Sequence, residues 1–242
     1  MTRQDHLPRL NDWHIRAKDP SYIHYYYLIR DIREALDKYA RGNFLDLGCG
    51  NKPYESLYNP KTEKQTGCDV QQSDGNRVDV ICPATDLKFE ANTFDSILCT
   101  QVLEHVYDHH GMMKEVHRVL KPGGHIILTV PFVWELHEEP YDFFRFTPHS
   151  LRELFTEAGL EVDVVKSQGG MWATLYQMRN NVLYHSFRTQ KGFFTKLKKI
   201  VFIDLGLTWL RNRFALWLDK TLYNDVWTLN YIIIAHKPAS KV

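Results

Sequence analysis

The sequence predicts an α/β fold in which a parallel sheet carries helices on both faces. Three observations predict it. Strand-like and helix-like segments alternate from residue 43 to residue 130, the order that gives parallel strands joined by crossover helices. FLDLGCG, Phe44 to Gly50, is an apolar strand that ends in a Gly-x-Gly turn, a turn that lets backbone N–H groups approach a ligand because glycine has no Cβ. With 242 residues, 44% hydrophobic and 24% charged, the chain suffices for one well-buried core.

Taken in order, residues 1–20 are polar, carry Pro8 and Pro20, and read as a flexible leader to a single domain over 21–242. YIHYYYLIRDIREALDKYA predicts a helix at about 21–40, whose aromatic face packs on the sheet or caps a ligand pocket. Strands are predicted at 43–47, 65–69, 78–81, 94–99 and 125–130, helices near 54–59 and at 109–120, and a KPGG turn at 121–124. Thr147 followed by Pro148 is a helix N-cap, opening a helix at about 148–158. EVDVVKSQ and NYIIIAHKP follow as strands.

Residues 171–225 separate those two segments and are too many for a hairpin turn, so they must form structure of their own. GFFTKLKKIVFIDLGLTWLRNRFALWLDKTLY mixes Phe, Trp, Leu and Ile with Lys196, Lys198, Lys199, Arg211 and Arg213, which predicts amphipathic helices broken near Gly206. Two readings stay open for 193–218. One is a helical lid or homodimer surface. The other is a shelf for a membrane or a lipid-linked substrate, because cations beside Trp and Phe suit an interface.

Composition narrows the function classes. A formal net charge of +1 lacks the basic excess that nucleic-acid binding brings. Cys49, Cys68, Cys82 and Cys99 show no C-x-x-C pair and no metal-like spacing, so a reducing cytosol is the expected home. The membrane-shelf reading would add the inner face of the membrane. The N-terminal stretch MTRQDHLPRLNDW has no signal-peptide pattern, and no run reaches the roughly 18 apolar residues of a membrane span.

The glycine turn also points to a cofactor. A dinucleotide calls for G-x-G-x-x-G, but Gly48 and Gly50 lead into Pro53. Asp46, two residues before the turn, would repel a pyrophosphate and suits the ammonium of S-adenosylmethionine. Asp69, roughly twenty residues past the turn, ends a strand where an acid can accept from both ribose hydroxyls. In order, FLDLGCG, GCDV, FDSILCTQVLEHV and EVHRVLKPGGHIILTVPF resemble the class I S-adenosylmethionine-dependent methyltransferases, over roughly residues 40–165. The similarity lies with the group acting on small molecules, lipids and glycans. It implies a Rossmann-like, doubly wound sheet of seven strands, the last antiparallel, with 171–225 as a helical insertion before that last strand.

The resemblance assigns cofactor contacts to Asp46, Gly48, Gly50, Asp69, Gln101 and Val102. Where family members commonly carry an acid for the adenine amino group, this chain has Pro83, which leaves that task to backbone near Ala84 and Thr85 or to Asp86. Catalytic candidates lie in two loops. TQVLEHVYDHH offers the Glu104–His105 pair, with His105 either structural or a second choice for general base. The resemblance also allows this pair to hold a divalent cation, as some related O-methyltransferases do, but two adjacent residues do not make a metal site, and no metal is expected. FVWELHEEPYDFFRFTPHSLREL resembles a signature of methyltransferases found with cell-surface polysaccharide and lipid biosynthesis. In it His137, which can take a proton near neutral pH, is the first choice for base. Tyr141, Asp142 and Arg145 are assigned to the acceptor, with Arg145 suited to a carboxylate or phosphate. Asp142 and Arg145, three apart, could instead pair with each other. The expected activity is O-methylation of a small-molecule, sugar or lipid-linked acceptor. C-methylation of a quinone-like or lipid ring, and a cofactor-binding pseudoenzyme acting as an interaction partner, are the alternatives.

Overall fold

The first helix, α1 (Tyr22–Tyr39), leads into the sheet-forming part of the chain. Next come β1 (Asn43–Leu47), α2 (Glu55–Tyr58), β2 (Lys64–Asp69), β3 (Val80–Ile81), β4 (Phe94–Thr100), α3 (His109–Val119), β5 (Leu120–Pro131), α4 (Pro148–Glu157) and β6 (Glu161–Gln168). Two long helices, α5 (Met171–Thr189) and α6 (Leu207–Thr221), precede β7 (Asn230–His236). The structure, a computed structural model, describes residues 12–189 and 207–239. Where the sequence reading drew one domain, the chain divides into two compact units. The first comprises 12–13, 31–166 and 231–239; the second comprises 14–30, 167–189 and 207–230.

The first unit holds a seven-stranded sheet in the order β3-β2-β1-β4-β5-β7-β6. β1 pairs in parallel with both neighbours, Leu45 lying opposite Thr66 on β2 and Ile97 on β4. Chain order reverses between β1 and β4, which is where open α/β sheets place their ligands. Leu45, Leu47, Ile97, Cys99, Ile126 and Leu128 join one apolar core with Met112, Met113, Val116 and Val119 of α3 and Leu151, Leu154 and Phe155 of α4. On α3 those residues recur at helical spacing and form a single stripe. The alternate residues Phe44, Leu98 and Ile127 are also fully buried, so the central strands are apolar on both faces, as parallel strands require.

The expected KPGG turn is instead part of β5. Its register against β4 slips between Phe94 and Ser96, and Gly123 takes φ +76° there, a left-handed geometry that glycine adopts without strain. β7 captures this stretch from the other side. Gly123 N donates to Lys237 O at 2.7 Å and Lys237 N donates to Gly124 O at 3.0 Å. The beginning of β5 thus faces the end of β7, and the last strand runs antiparallel. The Thr147 cap is present as a capping box with Ser150, with Pro148 at the first turn.

In the second unit α5 and α6 pack together around buried polar groups. Asn180 donates to Asn212 at 2.8 Å, and Asn212 in turn donates to the carbonyls of Ala17 and Asp19 at 3.0 and 3.2 Å. Gln177 holds the Pro20 carbonyl at 3.0 Å. The end of the expected leader is therefore bonded to helices, while residues 1–11 lie outside the described residues. So do 190–206, which contain Lys196, Lys198, Lys199 and the expected break near Gly206. No helix among the described residues is long and apolar enough to cross a membrane.

Asp219, fully buried, accepts from Tyr27 Oη at 2.7 Å, Gly170 N at 2.9 Å and Ala173 N at 3.0 Å. Burial and this carboxylate together hold the Tyr27 hydroxyl well above its ordinary pKa, so it stays a donor. Asp219→Ala strands three donors in a dry environment. Denaturant unfolding should show a loss of about 3 kcal/mol or more; a loss below about 1 kcal/mol would mean that these bonds are not what holds the unit together.

Candidate active site

The turn after β1 is built by close approach. Gly48 and Gly50 have φ of +74° and +49°. A Cβ on Gly48 would stand 2.2 Å from Val102 Cγ2, so the loop after β4 lies directly over the turn. The N–H groups of Gly48 and Cys49 donate to the Cys68 carbonyl at 2.8 and 3.0 Å. Gly50 N donates to Asp69 Oδ2 at 3.1 Å, which fastens the turn to the end of β2.

Asp46 is buried, and its Oδ2 accepts from the Tyr58 hydroxyl at 3.1 Å. Burial pushes its carboxyl up to about 7, against the opposing pull of Tyr58 and Lys52. Lys52 itself pairs with Asp79 at 2.6 Å, and Asp79 takes the Gly67 N–H at 2.7 Å. Tyr58, stacked on Phe44 with ring centroids 4.5 Å apart, escaped the sequence reading. Its only trace there is a tyrosine on the short helix after the glycine turn.

Ala84 and Thr85 sit in the turn after β3, where Asp86 N donates to Pro83 O at 3.0 Å. Cys82 N donates to Asp69 O at 3.0 Å, so this turn starts beside the expected ribose acid. Asp86 is exposed and pairs with Lys88. At the end of β4, Gln101 adopts φ +55°, an uncommon geometry for a side-chain-bearing residue. Gln101 N donates to Thr129 O at 3.0 Å and its side-chain amide to Thr129 Oγ1 at 3.1 Å. Backbone strain of this kind persists where surrounding structure imposes it.

The two candidate loops meet at Glu104. This residue, 0% exposed, is where the sequence reading saw half of a pair and the structure shows a centre. His105 Nε2 lies 3.8 Å and His137 Nε2 3.9 Å from Glu104 Oε1, and the two imidazoles meet edge to face at 4.7 Å. Glu104 O also accepts from Phe143 N and Phe144 N at 3.0 and 3.3 Å, so the second loop is laid against the first by its backbone. Burial lowers the pKa of His137 against the raising effect of Asp142. The rings of His109 and His110 lie 4.5 Å apart, tilted by 36°, at the start of α3.

Asp142 and Arg145, expected on the acceptor, are committed to each other. Arg145 Nη1 and Nη2 meet Asp142 Oδ1 and Oδ2 at 2.6 and 2.8 Å, a bidentate fork. The same guanidinium also donates to the Glu135 and Phe144 carbonyls. Asp142 further accepts from His137 N at 3.0 Å, and its carboxyl is held below the usual carboxylate range by Arg145 and that N–H despite burial. The pair closes the loop that presents His137. Tyr141 is 39% exposed, and its carbonyl stands 3.0 Å from His105 Nδ1.

The residues fit S-adenosylmethionine. A side-chain-free cradle at Gly48 and a buried carboxyl at Asp46 lie at the reversal point of the sheet, the arrangement of the class I S-adenosylmethionine-dependent methyltransferases. Residues 21–165, more than half of the chain, match the family described as a methyltransferase domain, and the chain belongs to that family. The human thiol S-methyltransferase TMT1B is 31% identical over 116 residues, which cover 42% of this chain and 46% of that protein. The chain thus spans about half the length of that relative. A ubiquinone biosynthesis O-methyltransferase of Pseudomonas aeruginosa is 26% identical over 169 residues, covering 57% of this chain and 73% of its own. Among solved structures, the (4+2)-cyclase SpnF superposes with a TM-score of 0.61 at 20% identity, over 97% of this chain and 89% of that one. That likeness is one of fold, and function rests on the site.

Proposed function

We propose that the chain transfers the methyl group of S-adenosylmethionine to a hydroxyl oxygen of a small-molecule or lipid-linked acceptor. The observation that supports this best is the cluster of buried Glu104 with half-buried His105 and His137 after β4 and β5, beside the Gly48–Val102 contact. A sulfonium needs little help to leave, so the protein's work is alignment and removal of the acceptor proton. His137 is the proton-accepting member and His105 the second choice. Tyr141, partly exposed, is assigned to the acceptor, while Asp142 and Arg145 keep the loop in place. On the cofactor side Asp46 meets the ammonium, Asp69 the ribose, Gln101 and Val102 the methionyl part, and the backbone at Ala84 and Thr85 the adenine.

His137→Ala should lower kcat about 10²–10⁴-fold with affinity for S-adenosylhomocysteine unchanged. A rate within a few-fold of wild type would move the proton to His105.

Asp46 predicts a pH dependence. The free protein holds this carboxyl protonated below about 7, whereas a bound ammonium favours the carboxylate. Binding must then expel a proton at low pH, so affinity falls as pH drops through 7. Calorimetry should find S-adenosylhomocysteine bound about 10-fold more weakly at pH 6 than at pH 8. Asp46→Asn should flatten that dependence, and a flat wild-type profile would remove Asp46 from the ammonium site.

For the second unit a lipid surface is proposed, because α6 exposes Trp209, Leu210, Phe214 and Trp217 among Arg211, Arg213 and Lys220, a mixture that suits an anionic interface. The protein should sediment with anionic vesicles at low salt, and exchanging Trp209 and Trp217 for Ser should release it. Wild type remaining in the supernatant would hand this face to a second copy or another protein.

A further inference from the structure

Three alternate residues of the turn after β1 are left-handed: Gly48, Gly50 and Lys52, with φ of +74°, +49° and +54°. The third bears a long side chain in a region that such residues avoid. The turn's own bonds at this position use main-chain atoms only, Lys52 N donating to Cys49 O at 2.7 Å and Glu55 N to Lys52 O at 3.2 Å. Glycine would serve the backbone at least as well, so the lysine side chain has another use.

Its path is set by a side chain that is missing elsewhere. A Cβ on Gly67 would stand 2.4 Å from Lys52 Cε, so the lysine stem crosses β2 in the space that this glycine leaves. Gly67 is the register partner of Asp46 on β1, and partners in register point to the same face of a sheet. The stem therefore runs beside the Asp46 carboxyl, about 5 Å away by the spacing of adjacent strands. Beyond it the ammonium meets Asp79 Oδ2 at 2.6 Å, and the Lys52 side chain is only 10% exposed. Asp79 accepts from Gly67 N at 2.7 Å and its own N–H donates to Gly67 O at 3.0 Å, so the same glycine fixes the anchor of the lysine.

The charges around Asp46 give that path its meaning. Burial opposes ionisation of Asp46 most, and the like charges of Asp69 on β2 and Glu55 on α2 add to it; the Tyr58 hydroxyl and the Lys52 cation act the other way. Glu55 is itself paired with Arg77. The neighbouring thiols of Cys49 and Cys99 are held above their ordinary range by burial and bring no charge. Asp79 does not cancel the lysine, because its side chain is 46% exposed and screened by water while Lys52 is nearly covered, so the field of the pair at Asp46 keeps the sign of the cation.

We infer that Lys52 is a positioning residue for the cofactor: led across Gly67 by the left-handed turn, its cation acts on Asp46 and sets the pH range in which S-adenosylmethionine binds. The inference rests on the reading of Asp46 as partner of the cofactor ammonium. Without the lysine charge, burial, Asp69 and Glu55 are opposed by Tyr58 alone, and the Asp46 carboxyl keeps its proton to higher pH. The bound ammonium favours the carboxylate, so as pH falls binding weakens earlier than in wild type.

The test is a series of calorimetric titrations of the full chain with S-adenosylhomocysteine between pH 6 and pH 8. Wild type is compared with Lys52→Met, Lys52→Gln, Lys52→Arg, Asp46→Asn and the double variant Asp46→Asn/Lys52→Met. Met and Gln keep a stem over Gly67 and remove the charge, and the ligand's own amine titrates alike in every arm. Both neutral variants should bind close to wild type at pH 8, which certifies their folding, and about threefold or more weaker at pH 6. Their loss between the two pH values thus grows from about 10-fold to about 30-fold. Lys52→Arg should keep the wild-type profile. In the Asp46→Asn background, Lys52→Met should add no pH dependence, because its target is gone. Weakening by one factor at every pH, the same pH-dependent loss in the Asp46→Asn background, or failure of both neutral variants to bind at pH 8 overturns the role of Lys52 and leaves that of Asp46 standing. A flat wild-type profile removes Asp46 from the ammonium site and the inference with it.

Discussion

The contact between Gly48 and Val102 is the constraint on which the site depends. With 2.2 Å between Val102 Cγ2 and the position of a Cβ at Gly48, any other residue would push the β4 loop off the β1 turn. That loop then carries Gln101 in its left-handed geometry and Glu104 into the interior. One missing methyl group thus lets the glycine turn and the Glu104–His105–His137 cluster share one end of the sheet, where sequence order reverses.

Burial does the electrostatic work at that end. Asp46 and Glu104 are carboxyl groups on neighbouring strand ends, both shielded from water, yet their surroundings differ. Asp46 has a hydroxyl donor in Tyr58 and a nearby cation in Lys52, whereas Glu104 faces two imidazoles. The first environment suits a ligand that brings its own ammonium. The second sets a carboxyl against two titratable rings. Charges removed from water must find partners, and these two carboxyls face different ones.

The loop after β5 carries more polar groups than a connector needs, because most of them hold one another. The Asp142–Arg145 fork, the His137 N–H and the Phe143 and Phe144 N–H groups bonded to Glu104 form a scaffold that fixes imidazole orientation. A partly buried ion pair with both partners hydrogen-bonded resists being broken from one side, which suits a loop that places other groups.

The fold was legible in the chain. Apolar strands, glycine turns and helical stripes are local patterns, and they placed β1, β2, β4, α3, α4, β6 and β7 within a few residues of their observed ends. The Gly-x-Gly turn with Asp46 and Asp69 was legible for the same reason, since spacing along one strand and its turn is spacing in space. What the sequence could not express were relations between distant segments. The conversion of KPGG into a bulged strand depends on β7, more than a hundred residues later. The division into two units depends on Asp219 and Asn212 reaching back to the N-terminal helix and the residues before it. The pairing of Arg145 with Asp142 rather than with an acceptor was only one of two options until the loop closed. The meeting of Glu104 with His137 required β4 and β5 to lie side by side. Local periodicity determined the elements and the cofactor turn; tertiary structure alone decided which side chains face each other across the strand ends, because burial and charge pairing are properties of the packed molecule and not of any segment.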